Sequence, residues 1–237
     1  HYSRASLVKR MYYSIMKWFV YLFSTDFVAV SDSAAPSMFF SFSKVRIIPC
    51  GLSFENTSTL RTQGSLGIKD GDRVIVQVGR FVDQKNHDFT CNILKDLSSN
   101  NWKMLFIGDG ELMPKIKGRV SELGLSDNVT FLGNINDVYG VLKHYSDILI
   151  LPSKFEGLGL VAIEAQYFGL KTIVSDMVPK EVEISDNISF LSLDSTSDWI
   201  IAIDSFEKLP SKGGVNLGPF SIESNKEKLY RVYNDEW

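Results

Sequence analysis

Apolar and polar positions alternate along the middle of the chain as short apolar runs separated by longer amphipathic segments. The runs predict buried strands and the segments between them predict helices. The predicted strands are RVIVQVG, KMLFIG, NVTFLG, DILILPS, KTIVSD and ISFLSL. Apolar strands that alternate with helices are typical of a parallel sheet covered by helices on both faces. We therefore predict an α/β fold with a complete doubly wound, Rossmann-like parallel sheet.

The first fifty residues have a different pattern. Apolar residues recur at helical spacing from Leu7 to Phe23, and two short strands, TDFVAVS and KVRIIPCG, flank a short helix. We interpret residues 1–53 as the tail of a separate α/β unit that precedes the second domain. Residues 54–237 are then the second domain, which follows a polar linker and ends in a helix from Ile222 onward.

Composition narrows the class of protein. The chain has 237 residues, 44% of them hydrophobic, which is enough apolar material for a full core. The formal net charge of −3 does not favour nucleic-acid binding. The two cysteines, Cys50 and Cys91, make a disulfide framework improbable and favour a reducing cytoplasm. No apolar run is long enough to span a bilayer.

Ligands of doubly wound sheets bind beyond the carboxyl ends of the strands, so the loops that follow the strands are the places to search. The first predicted strand of the second domain is followed by Gly79, Arg80 and, five residues later, Lys85. A glycine allows close approach of the backbone, and two cations at a strand end can clamp a diphosphate. An ordinary solvated pair of cations is the alternative interpretation.

The loop after the fourth strand carries the second set of candidate residues. Glu156 precedes a turn formed by Gly157 and Gly159, and an apolar helix begins there. The first backbone amides of a helix point outward and form an anion site that the helix dipole reinforces.

Glu164 lies about a turn and a half further on, among apolar neighbours, where a carboxylate is costly unless a partner satisfies it. A ribose could be that partner, because a carboxylate accepts two hydrogen bonds from a vicinal diol. A buried Lys, Arg or Tyr is the structural alternative.

Together these residues predict a pocket for a nucleoside diphosphate attached to a transferable group. If that group is a sugar, Arg80, Lys85 and the helix N-terminus stabilise the departing diphosphate. Glu156 would then orient the sugar hydroxyls or stabilise positive charge on the ring carbon, and no metal or other cofactor is needed. The Asp70-Gly71-Asp72 triplet is interpreted as a turn. His87 and His144 lack ligand partners at metal spacing.

The motifs GRFVDQKN, FIGDGEL, VTFLGNINDV and LPSKFEGLGLVAIEAQYFGLKTIVSD resemble the C-terminal donor domain of family 4 retaining glycosyltransferases, which have the two-Rossmann GT-B fold. Glu156 and Glu164 match the Glu-x7-Glu motif of that family. The early segments VAVSDSA and KVRIIPCGLSFE resemble the end of the family's N-terminal domain. The strongest likeness is to bacterial exopolysaccharide and capsule enzymes, because of GRFVDQKNHDF and SDMVPKEV.

The resemblance implies a retaining hexosyltransferase that uses a nucleotide sugar, commonly a UDP-sugar, and a polysaccharide or lipid-linked saccharide acceptor. It places Arg80 and Lys85 at the donor phosphates, Glu164 at the ribose and Glu156 at the transferred sugar. The expected donor site comprises Gly79, Arg80, Lys85, Gly108, Asp109, Gly157, Leu158, Gly159, Leu160 and Glu164. Glu156, Arg80 and Lys85 are the expected catalytic residues. The alternative function is the non-catalytic, nucleotide-sugar-binding half of a split transferase.

Two departures from the family pattern bear on the identity of the donor sugar. The crossover contains Cys50 where the family usually has Asn, and Ser175 and Asp176 stand where many relatives have two glycines.

The early amphipathic helix has two interpretations. It packs on the core of the first domain, or it lies on a membrane surface through its basic and aromatic residues, which would place the protein at the inner face of the membrane.

Overall fold

The computed structural model describes residues 7–54, 64–97, 101–207 and 214–234. The described residues form two compact units, one of residues 7–53 with 217–234 and the other of residues 54–207 with 214–216. The helices in chain order are α1 (Leu7–Phe23), α2 (Ala35–Met38), α3 (His87–Lys95), α4 (Met113–Glu122), α5 (Val138–Tyr145), α6 (Leu160–Tyr167), α7 (Ser197–Asp204) and α8 (Ile222–Tyr233). The strands are β1 (Phe27–Ala29), β2 (Val45–Ile47), β3 (Arg73–Val78), β4 (Trp102–Ile107), β5 (Val129–Gly133), β6 (Ile148–Leu151), β7 (Lys171–Ser175) and β8 (Ile188–Leu191).

The first unit combines the early segments with the C-terminal helix. Strands β1 and β2 pair in parallel, and the Leu52 backbone N–H donates to the carbonyl of Phe220 at 2.8 Å. The Ser221 side chain caps α8 by accepting a hydrogen bond from the backbone N–H of Ser224. The sequence analysis assigned all residues from 54 onward to one domain. The structure instead groups α8 with the first unit.

Helix α1 exposes much of its apolar surface within this unit. Trp18, Phe19 and Leu22 are each more than half exposed. In the part of the chain that the structure describes, no helix is long and apolar enough to cross a membrane. Both interpretations of α1 stay predictions.

The second unit contains one six-stranded, fully parallel sheet with the order β5-β4-β3-β6-β7-β8. All six strands lie where the apolar runs predict them, so the prediction of a doubly wound sheet is confirmed. The chain builds outward from β3 to β5 and then returns to place β6 on the other side of β3. The strand order therefore reverses between β3 and β6, which is where ligands bind in sheets of this kind.

Helices cover the sheet in two groups. Helix α3 contacts both α4 and α7, and α5 contacts α6. Trp199 of α7 is fully buried among strand residues such as Ile75 and Met104, and its indole N–H donates to the carbonyl of Ser192 at 2.8 Å. The central strands are buried on both faces, which explains why their sequences are continuously apolar.

Gly108 lets the turn after β4 lie against the turn after β3. Its φ is +132°, and a Cβ atom at this position would lie 2.1 Å from the carbonyl oxygen of Gly79. Hydrogen bonds join the same two turns, because Phe81 N–H donates to the carbonyl of Asp109 and Leu112 N–H donates to the carbonyl of Phe81. The backbone that carries Arg80 is thus held by its neighbour in the sheet.

Gly108→Ala should destabilise the chain by at least about 2 kcal/mol, because the added methyl group meets backbone rather than a movable side chain. Gly118→Ala is the matched control. Gly118 lies exposed in α4 with no atom within 4 Å of its Cβ position, so alanine there should stabilise by about 0.5–1 kcal/mol. Urea unfolding of both variants tests the pair, and a Gly108→Ala variant as stable as wild type would contradict the packing of these turns.

Candidate active site

Two loops meet at the point where the strand order reverses. One follows β3 and the other follows β6, and these strands are neighbours in the sheet. Residues 83, 84 and 85 of the first loop contact residues 154, 155 and 156 of the second loop, respectively. The Lys154 ammonium lies 2.5 Å from an Asp83 carboxylate oxygen, and the Lys85 ammonium lies 2.5 Å from Glu156 Oε1. Two ion pairs of opposite polarity therefore join the loops.

The residue between these ion pairs adds backbone contacts. Gln84 Nε2 donates to the carbonyl of Phe155 at 2.9 Å, and Lys154 N–H donates to the carbonyl of Gln84 at 2.8 Å. The three successive residues 83, 84 and 85 are therefore each bound to the second loop. The sequence predicts that both loops lie on one edge, and this placement is confirmed.

Lys85 is the best-restrained cation of the pair that the sequence analysis selected. It ends a 3-10 turn, Asp83–Lys85, and its aliphatic chain passes over Gly79, where a Cβ atom would lie 3.0 Å from Lys85 Cε. Its side chain is 18% exposed and that of Glu156 is 8% exposed. Glycine at position 79 thus provides the space through which the lysine reaches the second loop.

Arg80 differs from Lys85. Its side chain is exposed and makes no hydrogen bond or ion pair with another described residue. Asp109, in the neighbouring turn, is also exposed, and its carboxylate accepts a hydrogen bond from the Gly110 N–H at 2.7 Å. Within the described part of the chain, Arg80 is thus an exposed cation that makes no hydrogen bond or ion pair.

The second loop leads into α6 as predicted. Gly159 is the N-cap residue in the left-handed conformation, with φ +92° and ψ +50°, which favours glycine. Leu158 is buried and Gly157 is exposed, while Leu160 begins the helix half-buried. The N-cap residue makes no side-chain hydrogen bond, so the first amides of α6 are not capped in that way.

Glu164 has a tyrosine partner. The Tyr139 hydroxyl, on α5, donates to Glu164 Oε1 at 3.2 Å. Burial raises the pKa of the Glu164 carboxyl, and the hydrogen bond from Tyr139 partly opposes that rise. Burial and the adjacent carboxylate together raise the pKa of Tyr139 to about 12. Of the partners that the sequence left open for Glu164, the tyrosine is present.

An aromatic cluster surrounds this pair. Phe54 stacks on Tyr167 with ring centroids 4.2 Å apart, and it contacts Tyr139 and Phe168 edge to face at 5.1 Å. Tyr139 is thus part of an aromatic cluster as well as the partner of Glu164, and burial is what disfavours the ionised carboxylate. Sequence reasoning missed Tyr139, because its position in α5 does not indicate which residue of α6 it faces.

Sequence features considered for metal binding have other roles in the structure. Asp72 accepts the Lys69 N–H in a turn that contains Gly71 with φ +87°. The buried ring of His87 stacks on Phe81 at 4.0 Å, and burial, with a smaller effect of Lys85, lowers its pKa to about 4. Among the residues described, no three His, Cys, Asp or Glu side chains lie close enough to hold a metal ion.

Comparisons with solved structures agree with this architecture. Sucrose-phosphate synthase from Thermosynechococcus elongatus aligns with a TM-score of 0.79 and 18% identity, over 98% of this chain and 62% of that chain. Anabaena Alr3699/HepE, solved in complex with UDP and glucose, aligns with a TM-score of 0.74 and 15% identity, over 95% of this chain and 67% of that chain. These likenesses show the GT-B glycosyltransferase fold.

Curated relatives are also similar in sequence. The Escherichia coli UDP-Gal:alpha-D-GlcNAc-diphosphoundecaprenol alpha-1,3-galactosyltransferase is 34% identical over 211 residues, which cover 81% of this chain and 54% of that protein. The amylovoran biosynthesis glycosyltransferase AmsD of Erwinia amylovora is 26% identical over 145 residues, 61% of this chain and 41% of that protein. The chain thus spans about half the length of these relatives.

The family model that matches covers the second unit almost entirely. It is described as Glycosyl transferases group 1 and matches residues 59–212, which include both loops at the reversal of strand order. The match extends over more than half of the chain, and so the chain belongs to the group 1 glycosyltransferases.

Proposed function

We propose that this protein transfers a hexosyl group from a UDP-sugar to a lipid-linked saccharide or polysaccharide, with retention of anomeric configuration. The observation that carries the proposal is the convergence of Lys85, Glu156 and the start of α6 where the strand order reverses. Retention belongs to the proposal because the motifs resemble family 4 enzymes.

The diphosphate is assigned to Lys85, Arg80 and the first amides of α6. Lys85 is paired with Glu156 and Arg80 has no partner among the described residues. A diphosphate carries more charge than one carboxylate, so it can draw the Lys85 ammonium away from Glu156. The released Glu156 carboxylate then accepts hydrogen bonds from the hydroxyls of the sugar.

The ribose is assigned to Glu164. Among the described residues its carboxylate accepts one hydrogen bond, from the Tyr139 hydroxyl, and a carboxylate can accept several. Two ribose hydroxyls would supply the missing donors and favour the ionised carboxylate, which burial alone disfavours. The energetic cost of ionised Glu164 in the free protein is thereby offset on binding.

In the proposed reaction, the bond between the anomeric carbon and the diphosphate oxygen breaks, and its electron pair stays on the diphosphate. The acceptor hydroxyl forms the new bond to the anomeric carbon, and its proton passes to a phosphate oxygen. Lys85, Arg80 and the α6 amides stabilise the negative charge that develops on the diphosphate. No metal ion is part of this proposal.

The donor and acceptor classes are taken from relatives. The Escherichia coli relative carries UDP-Gal and a diphosphoundecaprenol acceptor in its name, and the Anabaena structure holds UDP and glucose. A non-catalytic half of a split transferase would bind the same donor, and release of UDP in the presence of acceptor distinguishes the two.

Lys85→Ala should weaken UDP binding about 10- to 100-fold, since a charge-assisted hydrogen bond to phosphate contributes about 1.5–3 kcal/mol. Isothermal titration calorimetry at low salt measures the change. Lys95→Ala, which removes an exposed charge at the far end of α3, is the matched control and should bind UDP like wild type. Wild-type affinity in Lys85→Ala would refute the assigned diphosphate site.

Glu164→Gln should stabilise the protein at neutral pH while weakening UDP binding roughly tenfold. The raised pKa means that the folded state favours the neutral carboxyl, so wild type loses stability as the pH rises through that pKa. Glutamine is neutral at every pH and retains an acceptor for the Tyr139 hydroxyl.

The melting temperature of Glu164→Gln should therefore exceed that of wild type at pH 7.5. The difference should disappear below about pH 4, where the wild-type carboxyl is protonated in both states. Glu183→Gln, at an exposed position, is the control and should show no such crossover. A Glu164→Gln variant that is less stable than wild type at pH 7.5 would contradict the account of Glu164.

A further inference from the structure

We propose that Gln77 is a positioning residue for Lys85, and that its side-chain amide holds the lysine where the ammonium reaches the donor diphosphate. The proposal rests on the proposed function, because it concerns the same lysine. Gln77 lies in β3, below the loop, and is not itself expected to touch the nucleotide.

Gln77 is a polar residue in a buried strand that is otherwise largely apolar. It is fully buried, and the three preceding residues of β3, Val74, Ile75 and Val76, are buried and apolar. Burying a carboxamide costs free energy unless both its donor and its acceptor are satisfied. A valine or leucine would satisfy the sheet at lower cost, so the glutamine is explained by its contacts.

Those contacts connect three elements. Gln77 Nε2 donates to the carbonyl of Lys85 at 2.8 Å, and Gln77 Oε1 accepts from the hydroxyl of Thr90 at 2.7 Å. Thr90 lies in α3 and is also fully buried. The glutamine therefore joins β3, the last residue of the 3-10 turn and the helix that follows.

The hydrogen bond from Gln77 restrains the backbone of Lys85. The next residue, Asn86, has left-handed φ of 55° and ψ of 42°, so the chain changes direction directly after Lys85. A lysine side chain has four rotatable bonds, and its ammonium is directed only if its backbone is fixed. Gln77 fixes the backbone from below, the open face of Gly79 leaves room for the aliphatic chain, and Glu156 holds the ammonium.

Two variants test the hydrogen bonds that Gln77 makes with Lys85 and Thr90. Gln77→Met keeps the length of the side chain but removes both hydrogen bonds, and Thr90→Val removes only the hydroxyl that orients the amide. Isothermal titration calorimetry with UDP should show affinity reduced about tenfold in Gln77→Met and about threefold in Thr90→Val. Thr172→Val is the control. It removes a fully buried hydroxyl in β7 whose hydrogen bond within the described residues goes to the nearby Leu170 carbonyl, and UDP affinity should be unchanged.

A double-mutant cycle distinguishes positioning from general stability. If Gln77 acts through Lys85, then Gln77→Met should cause no further loss of UDP affinity in a Lys85→Ala background. A general loosening of the fold would lower affinity equally in both backgrounds, and this result would overturn the proposal. Melting temperatures confirm that each variant is folded at the temperature of the titration. If Gln77→Met does not fold, the cycle is made with Thr90→Val.

The remaining outcomes separate this proposal from the proposed function. If Lys85→Ala weakens binding and neither Gln77→Met nor Thr90→Val does, the positioning role is wrong and the donor site stands. If Lys85→Ala binds UDP like wild type, the diphosphate assignment fails and the role of Gln77 fails with it.

Discussion

The ion pair between Lys85 and Glu156 is the interaction on which the site depends. It joins the loop after β3 to the loop after β6 at the reversal of strand order, with the Lys154–Asp83 pair beside it. An isolated cation or carboxylate with so little exposure would be costly, and the pairing offsets part of that cost. The same pairing leaves both groups close together, where a ligand with stronger charge can exchange partners with them.

The surrounding fold makes this ion pair possible. Parallel strands that are neighbours direct both loops to one edge, and the backbone of the first loop is held by the turn at Gly108. Gln77 holds that loop from within the sheet. Helix α6 contributes its N-terminus, which has no side-chain cap, and Glu164, whose carboxyl has a pKa that burial raises. The residues of the candidate site, such as Lys85, Glu156 and Glu164, are polar or charged side chains whose burial costs free energy.

Local patterns were sufficient to predict much of this arrangement. The six strands of the second unit are continuous apolar runs, and Arg80, Lys85 and Glu156 follow strand ends in the sequence itself. Non-local contacts were not predictable in the same way. The grouping of α8 with the first unit, and the roles of Tyr139 and Gln77, depend on which segments meet in space. A buried glutamine within an apolar strand is, in retrospect, a signal that sequence reasoning can use.

We propose that one nucleoside diphosphate displaces Glu156 from Lys85 and adds ribose hydroxyls to the Glu164 carboxylate beside the hydrogen bond from Tyr139. A crystal structure of the chain with UDP tests it most directly. The account predicts the Lys85 ammonium within hydrogen-bonding distance of a phosphate oxygen, and ribose hydroxyls on the Glu164 carboxylate. UDP bound elsewhere, with Lys85 still on Glu156 and no ribose contact at Glu164, would contradict it.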